Sequence, residues 1–361
     1  MAEIALTGLA HSYLAVPSRP ADYALRRMDL TWTDGGAYAL LGPSGCGKTT
    51  LLNIISGLVR PSEGRVLFDG KDITDLPPQR RNIAQVFQFP VIYDTMTVFD
   101  NLAFPLRNRR VDEAEVRRRV DEVASMLELT ADLRRRASGL DAAAKQKISL
   151  GRGLVRRDVA AILFDEPLTV IDPHLKWVLR RKLKQIHEEF RLSLIYVTHD
   201  QVEALTFAEQ VMVMYEGSVV QRGTPQELFE NPAHTFVGYF IGSPGMNLLP
   251  CTLADGAALV DGLKVPLSPA LASAAGAAKG SLTLGIRPEF LRWVAPRSDG
   301  ALPCPVEAIE DLGNFKIVTA RLGSRRVKLK VAEDARVGGD TAWLLLPPER
   351  TKLYADDLAI G

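Results

Sequence analysis

The stretch that decides the fold lies near the amino terminus and reads Ala37-Tyr38-Ala39-Leu40-Leu41-Gly42-Pro43-Ser44-Gly45-Cys46-Gly47-Lys48-Thr49-Thr50. The apolar run Ala37–Leu41 predicts a buried strand. The residues that follow match G-x-x-x-x-G-K-[ST]. Helical spacing from Gly47 to Leu58 then predicts a helix. Glycines in such a loop let successive backbone N–H groups converge on a phosphate, and the helix N-terminus adds positive potential. We therefore predict a phosphate-binding loop over residues 42–50.

The residue types inside this loop indicate a nucleoside triphosphate bound with Mg²⁺. Lys48 is predicted to reach the β and γ phosphates, and the hydroxyl of Thr49 is predicted to ligate the metal. Cys46 is interpreted as a small, tolerated side chain.

Two acidic residues follow a second apolar run, Ala161–Phe164. Asp165 and Glu166 would lie together at the end of a buried strand, and neighbouring buried carboxylates are costly unless a positive charge compensates them. A Mg²⁺ ion would do so. We predict that Asp165 holds the metal through water and that Glu166 polarises an attacking water. By itself, an Asp-Glu pair at the end of a strand is as compatible with a structural role as with a catalytic one. The phosphate loop upstream favours the catalytic role.

A histidine follows a third apolar run, Leu192–Thr198. A lone histidine is more often structural, but the position of His199 after a strand matches that of Asp165 and predicts a sensor of the γ phosphate. Gln88 follows the strand-like run Ile83–Phe87, and we predict that it completes the shell of Mg²⁺ and water.

The composition argues against several classes of protein. Lys and Arg total 44 against 43 Asp and Glu, and this net charge of +1 disfavours a dedicated nucleic-acid binder. The three cysteines, Cys46, Cys251 and Cys304, form no CxxC pair, so no disulfide framework is expected. No apolar run approaches the roughly 18 residues that span a bilayer, and the N-terminus lacks the features of a signal peptide. We expect a soluble, cytoplasmic chain.

The length of 361 residues predicts two domains. Within residues 1–236, a strand–helix–strand succession around 173–189 predicts a parallel βαβ unit. Charged and apolar residues alternate at helical spacing between about 95 and 158, which predicts a helical subdomain. Over 237–361, Gly, Pro and Ala become frequent and short strands recur, which predicts a small all-β domain.

Together these motifs resemble the nucleotide-binding subunit of an ABC transporter. The resemblance implies an α/β P-loop NTPase domain with a RecA-like core and with antiparallel β and helical subdomains. It implies that Tyr13 stacks on adenine, that Gln88 belongs to a glutamine loop, and that Thr169–Asp172 forms a D-loop. The metal would be held by Thr49, Gln88 and Asp165. The loop residues implied to bind ATP are Gly42, Pro43, Ser44, Gly45, Cys46, Gly47, Lys48, Thr49 and Thr50.

The tail resembles the OB-like regulatory domain of sugar-importer ATPases of the maltose type. The likeness rests on Phe240–Pro244 with Met246–Leu249, and on Gly285–Glu289, which reads Gly-Ile-Arg-Pro-Glu.

One region departs from the family pattern. The family has Leu-Ser-Gly-Gly-Gln before a helix, where the serine and the glycine amides donate hydrogen bonds to the γ phosphate bound by a second subunit. Leu140-Asp141-Ala142-Ala143-Ala144 stands at that place here, and an ionised aspartate can only accept hydrogen bonds. Another alignment uses Ser138-Gly139 but puts extra residues inside a helix. Asp141 would also serve as a helix cap.

This combination, with Lys147–Gly153, is similar to the ATPases of bacterial glycerol importers. The resemblance implies an ATP-hydrolysing subunit, peripheral on the cytoplasmic side of the inner (cell) membrane. It would power uptake of a small polyol or carbohydrate through transmembrane permease subunits, with a periplasmic solute-binding protein as an indirect partner and no nucleic acid. The degenerate signature predicts pairing with a second, related ATPase. The alternative is a regulatory subunit that binds ATP but hydrolyses it poorly.

Overall fold

The computed structural model describes residues 2–169, 171–276, 278–335, 337 and 339–360. The chain divides into two compact units, Met1–Pro225 and Gln226–Gly361. This division comes before the predicted boundary at residue 236. The guanidinium of Arg287 explains the difference, because it donates hydrogen bonds to the carbonyls of Phe229 and Ile241 and so ties this segment to the second unit.

The first unit contains two sheets and a group of helices. Its strands are β1 (Ile4–His11), β2 (Leu25–Trp32), β3 (Ala37–Leu41), β4 (Glu63–Phe68), β5 (Lys71–Asp72), β6 (Ile83–Val86), β7 (Ala161–Asp165), β8 (Leu194–Thr198), β9 (Gln210–Tyr215) and β10 (Ser218–Gly223). Its helices are α1 (Lys48–Ser56), α2 (Val98–Arg107), α3 (Glu113–Met126), α4 (Ala142–Leu154), α5 (Pro173–Phe190) and α6 (Gln201–Phe207).

The central sheet has the strand order β10-β9-β3-β8-β7-β6. All of its pairs are parallel except β9 with β10. Every residue of β3, β7 and β8 is buried, as is typical of parallel strands covered on both faces. The predicted βαβ unit is β7-α5-β8, so the α/β fold class is confirmed. The carboxyl ends of these strands meet at one edge, where ligands bind in such folds.

The second sheet of this unit is antiparallel, in the order β2-β1-β4-β5. The helices α2, α3 and α4 lie within the predicted helical subdomain and pack on one another. Gly151 permits the close approach of α4 to α2, because a Cβ atom there would lie 2.5 Å from a methyl carbon of Leu102.

The second unit is built mainly of antiparallel strands, as the resemblance to an OB-like domain implied. Its strands are β11 (Asn247–Ala254), β12 (Ala257–Val260), β13 (Leu263–Pro266), β14 (Leu282–Ile286), β15 (Arg292–Val294), β16 (Leu302–Asp311), β17 (Phe315–Leu322), β18 (Arg325–Ala332), β19 (Thr341–Leu345), β20 (Lys352–Ala355) and β21 (Leu358–Ile360). Its short helices are α7 (Pro225–Glu230), α8 (Thr235–Phe240) and α9 (Pro269–Ala275). The sheet orders are β13-β12-β11-β14-β20-β21 and β15-β19-β16-β17-β18.

A buried cation organises the start of this unit. Arg287 is only 1% exposed, and besides Phe229 and Ile241 it donates hydrogen bonds to the carbonyls of Leu228 and Gly238, each at 3.3 Å. Burial lowers the pKa of this guanidinium to about 10, so it stays protonated at neutral pH.

We predict that Arg287→Leu lowers the free energy of unfolding of the second unit by about 3 kcal/mol, because several buried carbonyls lose their donor. Hydrogen exchange at the amides of β14 and β20 measures the change. Arg292→Leu, which removes an exposed arginine of β15, serves as the matched control. Equal protection in the two variants would contradict the assigned role.

Candidate active site

The phosphate loop joins β3 to α1, and its shape depends on glycine. Gly45 has φ +81° and Gly47, the N-cap of α1, has φ +101°, which favour a residue without Cβ. Gly42 is required for another reason, since a Cβ there would lie 2.3 Å from the carbonyl oxygen of Met214 on β9. The loop is therefore pressed against the central sheet while its turn leads into the N-terminus of α1.

Lys48 occupies the inside of this loop. It is 5% exposed, and its ammonium donates hydrogen bonds to the carbonyls of Gly42 at 2.8 Å and Pro43 at 2.9 Å. The thiol of Cys46 is also buried, 3.9 Å from the Lys48 ammonium, and burial raises its pKa. Cys46 is thus a packed, protonated thiol, in keeping with the interpretation made from sequence.

Asp165, the last residue of β7, lies against the start of α1. The hydroxyl of Thr49 donates a hydrogen bond to its Oδ1 at 3.1 Å. Burial raises the pKa of the Asp165 carboxyl, the bond from Thr49 opposes that shift, and the charge of Glu166 adds to it. A hydroxyl beside a desolvated carboxylate is a set of hard oxygen donors that suits Mg²⁺.

Glu166 and His199 face each other from the ends of neighbouring strands. The Nδ1 atom of His199 lies 3.0 Å from Oε2 of Glu166, and the imidazole is half exposed. Glu166 has φ +47°, a strained conformation for a residue with a side chain, and its N–H donates to the carbonyl of Val197 at 2.9 Å. The hydroxyl of Thr169 donates to the Glu166 carbonyl at 3.1 Å, a contact that no sequence motif indicated.

A cavity of about 480 Å³ brings most of the predicted residues together. It is lined by Tyr13, Ala24, Ser44, Gly45, Gly47, Lys48, Thr49, Thr50, Gln88 and Glu166. Gly42, Pro43, Cys46, Asp165 and His199 are outside this lining, although Asp165 and His199 contact Thr49 and Glu166 directly. A larger concavity of about 720 Å³ follows β1, β2 and β10, but none of the predicted site residues lines it.

Tyr13 and Gln88 lie at the edges of the cavity. Tyr13 is 66% exposed, and its hydroxyl is 3.1 Å from that of Thr50. Its ring stands nearly perpendicular to that of His11, with 4.6 Å between the ring centroids. The strand before Gln88 ends at Val86, one residue earlier than predicted, and Gln88 follows in a half-buried bend.

Asp141–Ala144, where the sequence departs from the family pattern, lie at the start of α4. Asp141 is the N-cap, and its Oδ1 accepts a hydrogen bond from the N–H of Ala144 at 2.7 Å. Ser138 and Gly139 belong to a short 3₁₀ turn before the helix. Helix α4 therefore begins at Ala142, directly after Asp141.

Comparisons with known proteins agree with this fold. The family model for ABC transporters matches residues 25–169, and the model for the MalK OB fold domain matches residues 242–291. The sn-glycerol-3-phosphate import ATP-binding protein UgpC of Salmonella typhimurium is 39% identical over 91% of this chain and 92% of its own length. The protein of that name from Yersinia pestis is 40% identical over 92% and 93%.

Solved structures give the same picture. The cbiO1 protein of Clostridium perfringens, part of the ABC transporter complex cbiONQ, has a TM-score of 0.57 and 27% identity. The match covers 63% of this chain and 90% of cbiO1. The ADP conformation of MJ1267, an ATP-binding cassette of an ABC transporter, has a TM-score of 0.55 over 64% of this chain and 96% of MJ1267. At 23% identity, that likeness concerns the fold alone.

The fold and site thus define an ATP-binding subunit of the ABC class. The chain belongs to the family of ABC importer ATP-binding subunits that carry a MalK-type OB-fold domain. It is an ATPase that powers solute import together with membrane permease subunits. No helix in the described part of the chain combines the length and apolar character that a membrane span requires.

We predict that Lys48→Ala weakens ATP binding roughly a hundredfold, because the buried loop loses its charge-assisted hydrogen-bond donor. A fluorescence titration with nucleotide measures the change. Lys71→Ala on β5, which removes an exposed lysine, is the control. Equal affinity for ATP in the two variants would contradict the assignment of residues 42–50 as the phosphate-binding loop.

We predict that Asp165→Asn stabilises the nucleotide-free protein while abolishing the stabilisation that MgATP adds. The pKa of Asp165 is raised in the folded state, so ionisation opposes folding, and the stability of the wild type falls as pH rises through that raised pKa. Asparagine removes this penalty and keeps an acceptor for Thr49. Melting temperatures across pH, with and without MgATP, test both parts; a variant that melts lower than wild type at neutral pH would contradict the first.

Proposed function

We propose that this chain binds Mg–ATP in the phosphate-loop cavity and hydrolyses it with Glu166 as general base. The observation that carries the proposal is the meeting of three strand ends, which brings Thr49 to Asp165 and His199 to Glu166 beside Lys48. Lys48 would hold the β and γ phosphates.

Each remaining side chain has an assigned task. Thr49, Asp165 and Gln88 would hold Mg²⁺, directly or through water, and the ion when bound would neutralise charge on the phosphates. Glu166 would accept a proton from the attacking water, and His199 would orient Glu166 and sense the γ phosphate. Tyr13, which is largely exposed, would stack its ring on adenine.

The substituted signature supports asymmetric pairing with a second ATPase. In the family, a signature helix faces the ATP of the partner subunit. Here the Asp141 carboxylate already accepts the N–H of Ala144, so it fills the anion-binding end of α4 with a charge of the same sign as phosphate. Ala142 and Ala143 also lack the freedom of glycine for close backbone approach. A partner with a better signature would complete the ATP site of this chain, whereas this chain would support the partner's site poorly.

A second candidate is a regulatory subunit that binds ATP and hydrolyses it poorly, which the capping role of Asp141 favours. Glu166 and His199, placed 3.0 Å apart, favour turnover instead. The ATPase rate of the assembled transporter separates the two.

The solute is proposed from the relatives alone. The relatives described above are named for import of sn-glycerol-3-phosphate, and we propose a small polyol or carbohydrate such as glycerol, or a phosphate ester of one. The solute would contact the permease and a periplasmic binding protein. The chain itself would be peripheral, on the cytoplasmic side of the inner (cell) membrane, without a role in nucleic-acid binding.

We predict that Glu166→Gln lowers the ATPase rate of the assembled transporter about a thousandfold while ATP still binds, since the base is lost and the geometry survives. The matching substitution in the second ATPase should cost much less. Restoring the family signature with Asp141→Ser, Ala142→Gly and Ala143→Gly should raise ATP hydrolysis at the site of the second ATPase. A purified transporter with this chain as its sole ATPase and full solute-stimulated activity would refute the asymmetric pairing.

A further inference from the structure

Glu203 is a buried carboxylate that the proposed reaction does not use. It lies in the first turn of α6, which begins directly after His199 and is capped by Asp200. The spacing Asp200-Gln201-Val202-Glu203 is typical of a capping box, in which the glutamate would accept the N–H of the cap residue. In the structure the N–H of Asp200 donates to the hydroxyl of Thr198 at 3.0 Å instead. The Glu203 side chain turns inward and the residue is 3% exposed.

The carboxylate connects three elements of the first unit. Its Oε2 accepts hydrogen bonds from the Tyr196 hydroxyl at 3.1 Å and from the Thr198 hydroxyl at 2.9 Å, both on β8. Its Oε1 lies 3.7 Å from the ammonium of Lys176 in the first turn of α5. A buried charge is tolerated when it is bonded and paired in this way.

These contacts hold the backbone on both sides of His199. Thr198, which precedes the histidine, donates to Glu203 and accepts from the N–H of Asp200, which follows it. His199 itself is half exposed and reaches Glu166. The position of His199 therefore depends on the peptide units on either side of it. Glu203 holds these units through its hydrogen bond with the Thr198 hydroxyl.

Glu203 also reaches the helix that follows the predicted D-loop. The N–H of Lys176 donates to the carbonyl of Asp172, the N-cap of α5, at 2.9 Å. Val170, within the predicted D-loop, lies outside the described residues. Movement at the start of α5 would thus be transmitted through Lys176 and Glu203 to the strand end that carries His199.

We propose that Glu203 is a positioning residue for hydrolysis, which keeps His199 within reach of Glu166 and couples it to the start of α5. The proposal rests on the role assigned to His199 under the proposed function. It assigns Glu203 no contact with nucleotide, so a substitution should act on kcat and leave the KM for ATP and nucleotide affinity unchanged.

The test uses the assembled transporter with full-length chains. Glu203→Gln should lower kcat roughly tenfold to a hundredfold, because small displacements of a catalytic group cost that much, with unchanged KM. Glu188→Gln, which neutralises an exposed carboxylate of α5, is the matched control. In a His199→Ala background, Glu203→Gln should cause no further loss, because both changes act through the same group.

A second pair of variants covers the case in which Glu203→Gln fails to fold. Thr198→Val removes the hydroxyl that joins Glu203 to the backbone beside His199, and Thr198→Ser restores it, so kcat should fall in the first and recover in the second. Full kcat in Glu203→Gln or in Thr198→Val would overturn the inference, as would additive losses in the double variant. Full activity of His199→Ala alone would instead refute the role of His199, which distinguishes the two failures.

Discussion

The register of three buried parallel strands is the constraint on which the rest of the site depends. In the central sheet Leu41 of β3 pairs with Thr198 of β8, and Asp165 of β7 pairs with Val197 of β8. The next residues along the chain are therefore the phosphate loop, His199 and Glu166, and they emerge at one edge. The N–H of Glu166 donates to the Val197 carbonyl, so even the strained turn after β7 belongs to the same ladder.

Charged side chains at that edge of the sheet, among them Asp165 and Lys48, are buried. Asp165 and Glu166 are adjacent acids, and burial raises the pKa of Asp165. Lys48, also buried, is held by loop carbonyls. Ionisation of Asp165 therefore opposes folding, and such a cost is retained where function needs the charge. The charges of the proposed ligand, Mg–ATP, would complement both the lysine and the acids.

The side chain of Asp141 changes what the N-terminus of α4 can bind. The N-terminus of α4 would attract an anion, but Asp141 supplies that anion from within the chain. The same helix also contacts the edge of the sheet where Glu166 lies. The buried side chain of Gln146 donates a hydrogen bond to the carbonyl of Pro167, next to Glu166. Helix α4 is thus hydrogen-bonded to the loop that follows Glu166.

The sequence by itself determined the features that depend on local pattern. Strand β3 has the bounds predicted, because an apolar run before a glycine-rich loop leaves few alternatives. The phosphate loop, Asp165, Glu166 and His199 were all visible as residue types after apolar runs. The cap by Asp141 was foreseen for the same reason, since a side chain bonding an amide three residues on is a local event.

Only the tertiary structure decided the contacts between distant residues. β1 continues as far as His11, because β2 and β4 pair along it. Gly42 must be glycine because Met214 of β9 lies against it, and Glu203 turns from its own helix cap to Tyr196, Thr198 and Lys176. A local pattern specifies the backbone conformation and the buried face of an element. The donors that meet a buried carboxylate depend instead on how strands and helices from separate parts of the chain pack together.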